Sequence, residues 1–393
     1  MSTVKINTTK AIDLVIQMMG ISGKSGEEGR IIDAIKRELR QVGIPESAIY
    51  IDSANRRSPI GGEVGNLVVK LPGTKRGPRR LLMAHVDTIP LCVGSRPVHK
   101  GAFIHSAVTS TALGGDNRAG TSIVLNTVCE IVRNRLPHPP LTLFWPVQEE
   151  IGLIGTRYAS LSKLGNPKLC FNWDGGSPNI AVIGATGDYN MEIRVSGVAS
   201  HAGAHPELGV SAIAIAGLAI ARLAKNGWHG SIVKGRHSGT SNIGVISGGD
   251  ATNVVTSKLL LQAEARSHDP KFRKRIVDEF HKAFVYGVKN VLSEDGKTGA
   301  VNFKAELKYE SFELTVDEPC VKTALAAVEA AGMQSETRIC NGGLDANSLT
   351  AHGLPTVTLG CGQRNVHTVD ETLHVQSYLQ ACRVALALAT AAI

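Results

Sequence analysis

His85 and Asp87, in the run Leu81-Leu82-Met83-Ala84-His85-Val86-Asp87-Thr88, stand two residues apart at the end of an apolar stretch. If that stretch is a buried strand, side chains two apart leave the same face. An imidazole placed there has a carboxylate beside it to orient its second ring nitrogen, as a metal-ligating histidine requires. The plainer alternative is a satisfied strand-end histidine. Asp116, in Leu113-Gly114-Gly115-Asp116-Asn117-Arg118-Ala119-Gly120 ahead of a helical pattern, is either a ligand or the N-cap of that helix. Glu149 and Glu150 close the run that begins Leu141-Thr142-Leu143-Phe144-Trp145. Adjacent carboxylates repel, so a buried pair calls for a cation, while an exposed pair is a solvated turn. Asp174 stands where Phe171-Asn172-Trp173 gives way to two glycines, and His367 lies in Arg364-Asn365-Val366-His367-Thr368-Val369-Asp370-Glu371; each could be a turn residue. Taken together, two histidines and several carboxylates at strand ends form the nitrogen and oxygen set that suits zinc, manganese or cobalt.

The elements that must position these groups are legible as patterns. Apolar residues at helical spacing predict helices over 11–19 and 31–42, and a Gly/Ser-rich loop separates them. From residue 66 short apolar runs at 67–71, 80–85 and 141–146 alternate with helical segments, the longest at 120–133, which predicts an α/β domain. After residue 187 the character changes. Strands at 189–195, 241–247, 259–266 and 301–308, with helices at 209–224 and 270–291, give the order βαββαβ, a ferredoxin-like α+β module. The α/β style then returns, with helices at 321–331 and 375–391 and a strand at 356–360. The expected organisation is a first part of a catalytic domain over 1–186, an inserted lid over 187–308, and the second part over 309–393.

The order HxD, GGDN before a helix, EE after a strand, then Asp and a distal His resembles the M20 family of dinuclear zinc peptidases and amidohydrolases. The match runs over almost the whole chain, the inserted lid included, and within the family the pattern is most similar to the tripeptidase T-like aminopeptidases. The resemblance implies a mixed-sheet zinc-peptidase domain with a lid and dimerisation module. It implies that His85 and Asp174 hold one divalent ion, Glu150 and His367 a second, and that Asp116 bridges the two; zinc is the first choice, with manganese or cobalt as alternatives. Asp87 would orient His85, and Glu149 would be the general base that passes a proton from an activated water to the leaving amine. The bond Asp116-Asn117 would be cis. In the lid, Gly197-Val198-Ala199-Ser200-His201-Ala202-Gly203 resembles the family's histidine motif, so His201 would stabilise the oxyanion in the partner subunit's site. Asn253 and Arg266 resemble the lid's substrate-binding pair, Arg266 as a bidentate clamp on a carboxylate. Turn residues and a surface ion pair are the plainer readings of these three. Leu344 stands where relatives often place Ser or Thr, and Asp345 beside it reads as a turn residue.

Several classes drop out. Gly23-Lys24-Ser25 is no phosphate loop, since Met18 stands where its first glycine belongs. Neither GxSxG nor HExxH occurs. The net charge of +8 is diffuse, its tightest cluster (Lys75, Arg76, Arg79, Arg80) reads as a solvated loop, and only 4% of residues are aromatic. Nucleic acid is therefore not an expected partner. No run reaches the roughly 18 apolar residues of a membrane span. Seven scattered cysteines without a CxxC pair suggest reduced thiols in a cytoplasm. The expected activity is cleavage of short peptides, tripeptides above all, from the free amino end by a homodimer joined through its lid. An N-acyl amino acid deacylase or carboxypeptidase is the alternative on the same scaffold, and a non-catalytic metal-binding homologue is the remote one.

Overall fold

Leu81, Leu82 and Met83 are fully buried on the strand Arg80–Met83, as are Phe144 and Trp145 on Leu141–Trp145 and Phe171 and Trp173 on Leu169–Trp173. A strand apolar on both faces belongs in the middle of a sheet covered on both sides. In the computed structural model, which describes residues 6–391, these strands and Thr356–Leu359 are mutually parallel. Their spatial order is Leu141–Trp145, Arg80–Met83, Leu169–Trp173, Thr356–Leu359. They form the centre of a nine-stranded sheet, flanked by antiparallel Leu67–Leu71 on one side and Ile180–Ala185 on the other. The chain leaves Arg80–Met83 for the neighbour on one side and then enters the neighbour on the other. The carboxyl ends of these strands thus open at a switch point, the place where such sheets hold ligands.

Of the cationic cluster expected to be a solvated loop, Arg76 is exposed in a loop, but Lys75 and Arg80 anchor a helix. Arg80 is 1% exposed and donates to the carbonyls of Leu388 and Ala391, and Lys75 donates to that of Thr390. These cations meet the otherwise unpaired carbonyls at the end of the helix Val375–Thr390, where positive charge is favoured. A four-stranded antiparallel sheet, with strands Pro97–Lys100, Phe103–Ser106, Gln363–Arg364 and Thr372–His374, has no counterpart in the sequence expectation. Its strands are too short and polar for periodicity to mark them.

The chain divides into two compact units, one holding residues up to 184, 313–340 and 344 onward, the other 185–312 with 341–343. In the second, Gly187–Ser196, His237–Gly248, Lys258–Ser267 and Ala300–Tyr309 build an antiparallel sheet with Lys258–Ser267 and Gly187–Ser196 at its centre. The helices Ala212–Lys225 and Pro270–Asn290 bury Ile215, Ala219, Ile276 and Phe280 against Met191, Ile193, Val195 and Leu261. The ferredoxin-like order is present, with one strand more than expected. Gly230–Lys234 pairs with His237–Gly248 as a hairpin at the sheet edge, and only Ile232 on it is fully buried, so no alternation reveals it. Among the described residues no helix is long and apolar enough to cross a membrane.

Candidate metal centre

The side chains converge because four neighbouring elements end at the same edge of the sheet. His85 follows Arg80–Met83, Asp174 follows Leu169–Trp173, Glu149 and Glu150 follow Leu141–Trp145, and Asp116 opens the helix Gly115–Asn134. His85 Nε2 lies 3.3 Å from Asp116 Oδ1 and 3.8 Å from Asp174 Oδ2. His367 Nε2 lies 3.3 Å from Asp116 Oδ2 and 3.1 Å from Glu150 Oε2. Two triads result, His85 with Asp116 and Asp174, and Asp116 with Glu150 and His367, each with its ligand atoms within 4.8 Å of one another. Asp116 is common to both and turns a different oxygen to each histidine. The peptide bond Asp116–Asn117 is cis, as the resemblance implied.

The alternatives weighed for these residues do not describe them. Asp116 has non-helical φ and ψ and its carboxylate caps nothing; Asn117 Oδ1 accepts the Gly120 N–H instead, at 3.0 Å. Glu149 and Glu150 are not a solvated turn. Their backbone N–H groups donate to the fully buried Asp87 carboxylate at 2.9 and 3.2 Å, and the Glu150 side chain is 8% exposed. Asp345, read as a turn residue, is fully buried at the start of the helix Asp345–Ala351 and accepts the Thr156 hydroxyl at 2.6 Å. Burial above all raises its carboxyl to about 6.

The donor set fits a pair of divalent cations. His85 Nδ1 lies 3.2 Å from the Asp87 carbonyl oxygen and 3.3 Å from its carboxylate, which claims the proton on that nitrogen. Nε2 then presents a lone pair to two carboxylates, an arrangement that only a positive charge stabilises. Asp116 Oδ1 is buried without a hydrogen-bond partner. The titration behaviour carries the same strain. Burial pushes His85 down, but the adjoining Asp116 and Asp87 carboxylates win and raise it well above its usual range. Hydrogen bonding to Asp116 and then Glu150 lifts His367 to about 11. Burial, joined by the Asp116 charge, raises Asp174 strongly; burial also raises Glu149 strongly, with Asp345 and Asp174 adding to it against the opposing charge of His85.

Sequence reasoning missed the residues that hold the ligands. Glu371, 2% exposed, accepts the N–H groups of Gly114 at 2.7 Å and Asp116 at 2.9 Å, fixing the backbone of the shared carboxylate. The signal was an acid four residues after His367. Gln363 donates to Gly115 O and Asn117 Oδ1, and accepts from Gly175 N, tying the Asp116 and Asp174 loops together. The Gly23-Lys24-Ser25 triplet has a use as well: Ser25 Oγ donates to Asp87 at 2.7 Å. The Gly23 carbonyl accepts from buried Arg118, whose Nη2 would lie 2.6 Å from any Cβ at position 23.

His201, Asn253 and Arg266 belong to the second unit. His201 is exposed, and its Nδ1 accepts the N–H groups of Gly203 and Ala204 at 3.2 and 3.0 Å. A nitrogen that accepts carries no proton, so Nε2–H is the donor offered outward. The turns bearing His201 and Asn253 are zipped together by Ala202 N–H to Asn253 O at 2.9 Å and by the His201–Val254 bridge. Arg266 is engaged by Glu264 through Nε and Nη2, at 3.1 and 2.9 Å, with Asp188 3.9 Å from Nη2. The ion pair weighed against the clamp is present.

Known proteins share this fold and the second unit. Residues 183–289 match the M20 peptidase dimerisation domain. A tripeptidase from Staphylococcus aureus has a similar structure, with a TM-score of 0.87 and 28% identity over 98% of both chains. The uncharacterized protein YqjE of Bacillus subtilis is 27% identical over 98% of both chains. A probable carboxypeptidase of Paracoccidioides brasiliensis is 28% identical over 76% of this chain and 67% of its own.

Proposed function

We propose, from the premise that this chain is an M20-family metallopeptidase, that it is a dinuclear-metal aminopeptidase acting on short peptides, tripeptides first. The observation that carries the metal reading is Asp116, with one oxygen 3.3 Å from His85 and the other 3.3 Å from His367. On this reading His85 and Asp174 would hold one ion and Glu150 and His367 the other, with Asp116 shared between the two sets. Zinc suits the set best, and manganese or cobalt shares it. When bound, such a pair acidifies water and polarises a carbonyl.

The chain's own groups do the rest. Glu149 takes a proton from the attacking water and hands it to the leaving amine. Asp87 fixes the His85 ring. His201 donates through Nε2–H to the oxygen on which charge develops, Asn253 positions the peptide, and Arg266 meets a substrate carboxylate once Glu264 yields part of its fork. The likeness to the S. aureus tripeptidase supports the free amino terminus as the recognised end. The carboxypeptidase relative supports a second reading, cleavage at the other end or of N-acyl amino acids.

The lid makes a homodimer on this reading, through the helix Ala212–Lys225, where Ile213 and Leu218 are 52% and 39% exposed, and His201 serves the partner's site. Seven cysteines, six of them buried, suit a reducing cytoplasm. The test is a metal-reconstituted panel of tripeptides, dipeptides and N-acyl amino acids with Glu149→Ala as control. Release of the amino-terminal residue from tripeptides, abolished in the variant, supports the aminopeptidase; turnover of acylated substrates alone selects the second reading.

A further inference from the structure

Three consecutive backbone N–H groups, those of residues 148, 149 and 150, end on two buried carboxylates. Asp87 takes the latter two, as described, and the first goes to Glu28. Glu28 is fully buried just ahead of the helix Gly29–Gln41, and its Oε1 accepts the N–H groups of Gly26 at 2.9 Å and Gln148 at 3.2 Å. Gln148 is itself fully buried in the left-handed region, at φ +56, a conformation that a non-glycine residue keeps only where its surroundings impose it. Its surroundings do so from both ends: Glu28 takes its N–H, and Gly61 O accepts its side-chain amide at 2.7 Å. The loop at Gly62 fits closely over that amide, since a Cβ there would lie 2.4 Å from Gln148 Nε2. Residue 148 turns the chain out of the strand Leu141–Trp145 and into Glu149 and Glu150.

We propose that Glu28 is a positioning residue for the Glu149–Glu150 pair, holding Gln148 in its left-handed turn so that both carboxylates project from the strand end in their working directions. The inference rests on the roles given to Glu149 and Glu150 above. Glu28 acts through the backbone of residue 148. Groups that orient ligands in this indirect way typically change metal affinity or activity by about 10–100-fold when removed.

The test compares wild type, Glu28→Ala and Glu28→Gln by zinc titration calorimetry and by kcat and KM on a tripeptide. Glu28→Ala is expected to bind the weaker of two zinc ions about tenfold less tightly and to lose kcat by at least that factor, with KM within threefold of wild type. Glu28→Gln keeps an acceptor oxygen and is expected to recover most of both losses. Unchanged zinc affinity and kcat in a folded Glu28→Ala overturns the proposal, and so does a Glu28→Gln as impaired as the alanine variant. If Glu28→Ala does not fold, Glu28→Asp makes the same test, since a carboxylate one methylene shorter draws its oxygen away from the Gln148 N–H while keeping an acid at the position. The proposal predicts the same fall in zinc affinity there, and its absence overturns it. A wild-type protein that binds two zinc ions and cleaves no peptide would count against the proposed substrate and leave the calorimetric arm standing.

Discussion

At the sheet edge His85, Glu149, Glu150 and Asp116 are fixed by neighbours that are themselves buried: Asp87 holds His85 and the backbone of Glu149 and Glu150, and Glu371 holds the backbone of Asp116. In the lid, His201 and Asn253 project from exposed turns secured by backbone contacts, and Arg266 spends two donors on Glu264. The first region has the build of a preorganised centre, in which the charged groups are already arranged. On the proposed reading, the second offers donors that would gain partners when substrate and a second subunit are present. Substitutions in the two regions should therefore differ in kind. Those at the sheet edge should change metal binding and chemistry, whereas lid substitutions should leave metal content alone.

The largest expected effect is Glu149→Ala, which should lower kcat by roughly 10²–10⁴-fold, the usual span for a positioned acid/base, with two ions still bound by elemental analysis. His201→Ala should come next, a loss of about 10²–10³ in kcat with metal content untouched; loss of metal in that variant would erase the contrast between the regions. Asp87→Ala should weaken zinc binding by about 10–100-fold, measured by competition with a chromophoric chelator. Glu264→Gln, which loosens the hold on Arg266, should lower KM a few-fold for peptides with a free carboxyl terminus and leave amidated peptides unchanged.

The smallest effect is on stability. Burial, and then the Asp87 charge, raises Glu28 from 4.5 to about 8. A carboxyl raised in the folded state keeps a proton that the unfolded chain releases. Its contribution is therefore complete below about pH 4.5 and is lost as pH rises through about 8. Thermal melts of the metal-free protein should decline across this window by on the order of 1 °C for each kcal/mol lost. Glu28→Gln, which cannot titrate, should flatten the decline.

What the sequence made legible follows the same division. The strands that end in His85, Glu149 and Asp174 are unbroken apolar runs, so both the elements and their chemical ends could be read. The ferredoxin-like lid was readable from alternation such as that in Gly187–Ser196. The edge strand Gly230–Lys234 was not, because a strand with one buried side chain carries no period. Asp345 and Glu371 were hidden for a different reason. A carboxylate in a Gly-rich or polar run reads as solvated, and only contacts made from far along the chain, Thr156 to Asp345 and Gly114 to Glu371, show that each is enclosed. The basic cluster around Arg80 misled in the same way, because its partners are carbonyls more than 300 residues away.

The central claim is that Asp116 bridges two metal ions. Anomalous diffraction from crystals of the zinc-reconstituted protein, collected on both sides of the zinc edge, tests it most directly. The account predicts two peaks per chain, one bounded by His85 and Asp174 and the other by Glu150 and His367, with one oxygen of Asp116 on each. A single peak, or two that do not share Asp116, would contradict it.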